Sequence, residues 1–220
     1  MNMLIYVIGY DIIYIIYNMA IELTLSNVLQ FFSFISPTLL IFFLFMSSLF
    51  NQNLKGLVYL AGILITSIIN VLFMNLIGSG RDENEAFSCS IFDIPYVTQY
   101  NSPYPSSLII AFTIAYLVLP MKYNKQMNYG VLAFLLVLLS IDVITKVQNR
   151  CTTYAGAILG GLIGFLFGAI WYIIFHATGY DGLLYFDELR SDNVVCSRPT
   201  KQTFKCSVYK NGELISSNLA

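Results

Sequence analysis

Long apolar stretches, separated by short polar ones, dominate the first 177 residues of the chain. A membrane hydrocarbon core about 30 Å thick is crossed by roughly 20 apolar residues in a helix. Six stretches approach that length: residues 3–21, 27–50, 55–78, 106–121, 129–147 and 153–177. The pattern predicts an all-α integral membrane protein, in which residues 1–177 form a bundle of six transmembrane helices.

Two of the predicted spans carry polar or helix-breaking residues. In the first, Asp11 lies within a stripe of tyrosines at helical spacing. That helix either crosses the membrane with its stripe facing inward or lies in the interface. The second contains Pro37, which is expected to kink the helix or to separate an interfacial piece, residues 27–36, from the true span.

The composition becomes that of an ordinary soluble protein in the C-terminal tail, residues 178–220. Apolar and polar residues alternate over 203–210, and Asn211-Gly212 follows, which predicts a β-hairpin around a type I′ turn. Two strands alone are marginally stable in water. We therefore expect a small, partly β tail outside the bilayer that docks on a protein partner.

Charge and cysteine content narrow the function classes. Hydrophobic residues make up 57% of the chain and charged residues only 10%, whereas a soluble domain carries about a quarter. The net charge of −1 gives no reason to expect a nucleic-acid partner. Four dispersed cysteines and one histidine fit no zinc pattern, so we expect neither a metal nor a cofactor.

Six spans place three segments on the same side of the membrane: loop 79–104, residues 105–108 at the start of the fourth span, and turn 147–153. We call this side the motif face. It contains Arg81, Ser106 and Ser107, and helix starts of this kind bind anions, although Ser106 is equally typical of a plain N-cap. Lys146 lies beside it, and Asp142 is placed to neutralise that lysine as an i,i+4 pair.

The order of these residues resembles the type 2 phosphatidic acid phosphatase superfamily, particularly its dolichyl-diphosphatase-like branch. The family carries K-x6-RP after its third helix, PSGH or PSSH at the start of its fourth, and SR-x5-H-x3-D between its fifth and sixth. Arg81 matches the arginine of the first motif, and Pro105, Ser106 and Ser107 match the second.

The departures from the family pattern fall on the reacting positions. The resemblance implies that one histidine attacks phosphorus, an acid orients it, and a second histidine protonates the leaving oxygen. These positions hold Thr152, Gly156 and Leu108, while Met74, Asp82 and Thr145-Lys146 replace the lysine, the proline and the Ser-Arg pair. The single histidine, His176, ends the sixth span, on the opposite side of the membrane. We therefore expect a pseudoenzyme without catalytic residues.

The resulting hypothesis is a structural, scaffold or lipid-headgroup-binding protein whose partners are membrane lipids. Arg81, Ser106, Ser107 and Lys146 would hold the phosphate, unless side chains fill the former pocket. Heavy use of Ile, Tyr, Asn and Phe suggests an AT-rich genome, and hence an inner-membrane or envelope protein of a large DNA virus, in an endoplasmic-reticulum-like or virion membrane.

Two other function classes stay open at this point. One is an active lipid-phosphate or isoprenyl-diphosphate phosphatase with an altered mechanism, using Thr152 or Asp82 as the nucleophile. The other is a small channel or carrier that depends on Asp142, because ionisable residues within spans are often functional.

Small residues and cysteines add expectations about packing and orientation. Glycines recur every four residues at 156, 160, 164 and 168, which forms a ridge for close helix approach, within the bundle or in a dimer. A disulfide is expected on whichever side is oxidising, either Cys89–Cys151 on the motif face or Cys196–Cys206 in the tail. The family resemblance favours a lumenal motif face and a cytoplasmic tail.

Overall fold

The computed structural model of the chain describes residues 24–86, 89 and 100–186, and the backbone of residues 206–210 and 213–218. It contains five helices that are long and apolar enough to cross a membrane: α1 (Leu25–Phe50), α2 (Lys55–Ile77), α3 (Pro105–Tyr123), α4 (Tyr129–Gln148) and α5 (Tyr154–Ala177). They correspond to the second to sixth predicted spans, so the prediction of a multi-pass helical membrane protein is confirmed. The first predicted span, residues 3–21, lies outside the described residues.

The helix ends follow from local sequence. Thr24, Asn128 and Thr153 precede α1, α4 and α5, and each side chain accepts a hydrogen bond from a backbone N–H of the first turn. Such caps satisfy donors that have no partner within the helix. Pro105 begins α3, where its missing N–H has no consequence. Gly78 ends α2 in the left-handed conformation that glycine adopts without strain.

Helix α1 continues through Pro37, so residues 27–36 do not form a separate interfacial helix. A proline at this position cannot donate to the carbonyl of Ser33, four residues earlier. The hydroxyl of Ser36 donates to that carbonyl instead, at 3.1 Å. Serine side chains commonly satisfy carbonyls freed by proline in membrane helices, which explains how α1 crosses this point intact.

Helix α3 is the central element of the bundle. Most of its residues are buried, including Ile110, Phe112 and Tyr116, which are fully inaccessible. The other four helices instead expose large apolar side chains, among them Phe43, Ile68, Leu72, Phe134, Leu162 and Leu166. An apolar outer surface is what a bundle presents to lipid, so α3 is surrounded by helices that also face the bilayer.

The glycine ridge of α5 lies against α3 of the same chain. A Cβ placed at Gly160 would overlap the carbonyl oxygen of Tyr104, and one at Gly164 would overlap that of Leu108. At Gly168 it would lie 2.6 Å from the carbonyl oxygen of Phe112. Three successive turns of α5 therefore contact the backbone of α3 or of Tyr104, the residue that precedes it, and this contact fixes the distance between the two helices.

The described part of the helical unit extends beyond α5 to Phe186. A short 3₁₀ helix, Asp181–Leu183, follows α5, and Leu184 is buried against the bundle. The hydroxyl of Tyr185 donates to the carbonyl of Leu44 at 2.5 Å, and burial raises the pKa of Tyr185 to about 12. The phenol therefore remains a donor at physiological pH.

Residues 188–220 form a second unit. Within it, strand β1 (Cys206–Lys210) pairs antiparallel with strand β2 (Glu213–Asn218). The two strands flank Asn211-Gly212, and the register shifts between Val208 and Tyr209.

Candidate anion-binding site

A cavity of about 190 Å³ opens at the motif face. Arg81, Ser106 and Lys146, three of the four residues predicted to hold a phosphate, line this cavity together. The described part of the wall comes from loop 79–104, from helices α1 to α4, and from Cys151 in the turn between α4 and α5. Ser107, the fourth predicted residue, is fully buried and is not part of the lining.

Lys146 lies in the last turn of α4 and is only 3% exposed. Its Nζ is 3.0 Å from the centroid of the Phe34 ring and 5.9 Å from that of Tyr104. A cation over a ring face is attracted by the negative face of the aromatic system. The predicted pair with Asp142 makes no direct salt bridge, although the two charges attract each other; the carboxylate of Asp142 accepts its hydrogen bonds from serines of two other helices.

Loop 79–104 holds Arg81 at the edge of the cavity. The Nε of Arg81 donates to Glu85 at 2.9 Å, and its Nη2 donates to the carbonyl of Cys89 at 3.4 Å. Cys89 forms a disulfide with Cys151, in the turn between α4 and α5. This is one of the two predicted pairings; Cys196 and the side chain of Cys206 lie outside the described residues. The disulfide therefore fastens the segment that carries Arg81 to the turn that follows Lys146.

Ser106 joins the cavity to a buried carboxylate. Its hydroxyl donates to Oδ1 of Asp142 at 2.6 Å, and the hydroxyl of Ser33 reaches the same oxygen at 3.3 Å. Asp142 is fully buried, and its Oδ2 has no hydrogen-bond partner among the described residues. The hydroxyl of Ser107 is also buried close to this carboxylate, although the two make no described hydrogen bond of ordinary length. Helices α1, α3 and α4 thus meet around one carboxylate directly behind the cavity.

The positions of the lost histidines do not converge on this cavity. Thr152 lines a second, more open cavity of about 480 Å³, together with Asp82 and Arg150. Its hydroxyl donates to the carbonyl of Asn101 at 2.8 Å. Leu108 is buried at the contact with α5. Of these two cavities, only the first has both Arg81 and Lys146 among the described residues of its wall.

Gly156, at the position of the family's orienting acid, is part of the contact between α5 and the segment before α3. A Cβ there would lie 2.5 Å from Oγ1 of Thr152 and 3.1 Å from Cβ of Ser102. A carboxylate side chain would have no room in this packing. The carbonyl of Gly156 also accepts a hydrogen bond from the N–H of Tyr104 at 3.0 Å.

His176 lies at the opposite end of α5. Its Nδ1 is 2.7 Å from Oδ1 of Asp181, and its ring stacks on Tyr172 and meets the edge of Tyr123. The imidazole therefore belongs to an aromatic cluster on the tail side of the bundle and cannot act in the cavity.

An apolar groove of about 590 Å³ runs between α1 and α4. Phe32, Phe43, Phe134 and other apolar residues form most of its wall, with Ser33 as one of two serines. Because Ser33 also donates to Asp142, the groove and the anion cavity approach the same carboxylate through different helices.

Ser33 and Phe34 were missed by the sequence analysis. Both lie in an apolar helix that no family motif includes, and their partners are more than 100 residues away along the chain. The one available signal was Asp142, since an acid within a span needs a polar partner. Lys146, at i+4, was the nearest candidate and took that role in the prediction.

The described residues contain no group of three or more His, Cys, Asp or Glu side chains placed to hold a metal ion. Comparison of the chain with family models, with curated proteins and with solved structures finds no match. The relationship to the phosphatase superfamily therefore stays a prediction from its motifs.

Proposed function

We propose that this chain is a multi-pass membrane protein that binds the anionic headgroup of a lipid at its motif face. The observation that carries the proposal is that Arg81 and Lys146 line the same cavity, together with Ser106. Guanidinium and ammonium groups are the side chains that bind phosphate in proteins, whereas the single hydroxyl proton of Ser106 is donated to Asp142.

The resemblance to type 2 phosphatidic acid phosphatases supports the choice of a lipid phosphate. Under this proposal residues 3–21 complete a six-helix frame of that kind, of the dolichyl-diphosphatase-like branch. The two-histidine reaction is lost, because Leu108 cannot transfer a proton and the Thr152 hydroxyl already donates to Asn101. The protein is thus a pseudoenzyme with respect to that reaction.

The proposed biological role is that of a scaffold in an internal or virion membrane, such as the inner membrane of a large DNA virus. Disulfides persist in oxidising compartments, so the Cys89–Cys151 bond supports a lumenal motif face. Helix α5 ends on the other side of the bilayer, and the partly β tail would then dock on a protein at the cytosolic surface.

Neutralising the cavity is expected to weaken lipid binding. With the purified full chain, Arg81→Gln or Lys146→Gln should each lower the affinity for short-chain phosphatidic acid by about tenfold or more, the range of one lost charge-assisted hydrogen bond. The measurement is calorimetric titration in detergent, with short-chain phosphatidylcholine as the neutral-headgroup comparison.

Arg150→Gln provides the matched control, because Arg150 is exposed on the same face but lines the second cavity. It removes the same charge and should leave the affinity unchanged. Equal losses in all three variants would indicate general electrostatic attraction and reject a specific site. Equal affinity of the unaltered chain for both lipids would reject headgroup binding itself.

A further inference from the structure

The hydroxyl of Ser106 lies between a buried carboxylate and the cavity. On one side it donates to Asp142 at 2.6 Å, and on the other Ser106 forms part of the cavity wall with Lys146 and Arg81. A nucleophilic serine needs a base within hydrogen-bond reach and access to the substrate. Ser106 meets both conditions, whereas the Thr152 hydroxyl donates to the backbone carbonyl of Asn101 and has no described hydrogen bond to a carboxylate.

A second helix holds the proposed base, Asp142, in place. Asp142 is fully buried in α4, and the Ser33 hydroxyl of α1 donates to the same oxygen that accepts from Ser106. Ser33 precedes Pro37 by one turn. The Ser36 hydroxyl donates to the carbonyl of Ser33, which the proline leaves without a backbone donor. The orientation of Asp142 is therefore fixed by a second helix, as the base of a nucleophile–base–orienter arrangement requires.

We propose that Ser106 and Asp142 are the nucleophile and general base of an acyl-ester hydrolase acting on an anionic lipid. This goes beyond headgroup binding and relies on the proposed headgroup site only to anchor the substrate. The ester carbonyl meets Ser106, and the lipid phosphate lies against Arg81 and Lys146.

The reaction balances with these groups and water. Ser106 Oγ attacks the ester carbonyl while Asp142 takes its proton, which forms the tetrahedral oxyanion. Asp142 then passes the proton to the departing alcohol oxygen as the C–O bond breaks, which leaves an acyl-serine. Water attacks the acyl-serine, Asp142 accepts its proton and returns it to Ser106, and a fatty acid is released.

The single base favours acyl transfer over phosphoryl transfer. In-line displacement at phosphorus places the leaving oxygen opposite the nucleophile, so an alkoxide leaving group needs a proton donor on the far side. In acyl transfer one group serves as base and then as acid on the same side, and Asp142 is placed to do this.

A neutral fluorophosphonate probe tests the pair directly, because serine attack displaces fluoride without any need for a headgroup site. The full chain in detergent should be modified at Ser106, as located by peptide mass spectrometry. Ser106→Ala should abolish that modification, and Asp142→Asn should slow it roughly a hundredfold or more, the usual contribution of a general base.

Ser140→Ala is the matched control. Ser140 is exposed on α4, where its hydroxyl donates only to Leu136 of the same helix, so labelling of Ser106 should be unchanged. Release of fatty acid from phosphatidic acid should follow the same order of variants. Thermal unfolding of each variant identifies any variant that fails to fold. The modified residue is mapped on the unaltered chain, so that result does not depend on the folding of the variants.

Several outcomes overturn the assignment. An unmodified Ser106 in the folded chain rejects the nucleophile, and equal labelling of Asp142→Asn rejects the base. Labelling without fatty-acid release rejects the hydrolase. Failure of the headgroup proposal gives a different result: Ser106 is labelled, and fatty acid is released from neutral esters as readily as from phosphatidic acid. If the chain binds phosphatidic acid but Ser106 is not labelled, the hydrolase is rejected and headgroup binding is retained.

Discussion

Replacing Gly164 with alanine is expected to destabilise the helical unit by about 1–3 kcal/mol, the usual cost of overpacking. The added Cβ would overlap the carbonyl oxygen of Leu108. That oxygen belongs to the backbone of α3, so no change of rotamer can relieve the overlap. Helices α3 and α5 would have to separate along three turns of close contact.

Gly161→Ala is the matched control for this prediction. It is the same substitution on the same helix, and no atom lies within 4 Å of the position its Cβ would take. Alanine is a better helix former than glycine by about 1 kcal/mol, so this variant should be neutral or slightly more stable. Thermal unfolding of both variants in detergent makes the comparison, and an equal loss of stability in both would contradict the assigned contact.

The sequence predicted the spans well because span length is a local property of the chain. A run of apolar residues long enough for the bilayer is visible without knowledge of its neighbours, and α1 to α5 follow from it. The glycine ridge was visible for the same reason, since a four-residue period defines one face of a helix. Its partner was not visible, because Leu108 and Phe112 belong to a helix that is apolar on every side.

The candidate site was predictable only where topology and motif order acted together. Alternation of spans brought Arg81, Ser106 and Lys146 to one side of the membrane, and they line one cavity. The same reasoning placed Thr152 beside them, but the structure separates it into a second cavity. Spacing along the chain predicts on which side of the membrane a residue lies, but it does not predict which of two neighbouring cavities the residue lines.

The role of Asp142 could not be predicted from local rules. An i,i+4 neighbour is the nearest partner on an isolated helix, and Lys146 occupies that position. In the bundle, Ser33 and Ser106 reach the carboxylate from other helices, while Phe34 takes the ammonium. Tertiary contacts thus replace the expected direct salt bridge: the Lys146 ammonium lies over an aromatic ring at the cavity, the Asp142 carboxylate accepts from Ser106, and only a longer-range attraction joins the two charges.

Removing the disulfide with the double variant Cys89→Ser/Cys151→Ser is expected to reduce stability by about 2–4 kcal/mol. The bond closes a loop between residues 62 positions apart, and such cross-links restrict the unfolded chain. It also fastens the segment that carries Arg81 to the turn after α4. The variant should therefore melt at a lower temperature and bind short-chain phosphatidic acid more weakly, and a reductant should produce both changes in the unaltered chain.

The double variant Cys196→Ser/Cys206→Ser is the matched control, and cysteine mapping of the unaltered chain tests the membrane orientation as well. Both cysteines belong to the unit formed by residues 188–220, so their loss should change neither the melting temperature of the helical unit nor its lipid affinity.

Cysteine mapping without reductant should find Cys89 joined to Cys151 and the tail cysteines as free thiols. An oxidised tail pair with free thiols at 89 and 151 would place the tail in the oxidising compartment. The proposed orientation, and the anchoring of Arg81 by a disulfide, would then both be wrong, because the cavity would face a reducing compartment where that bond does not persist.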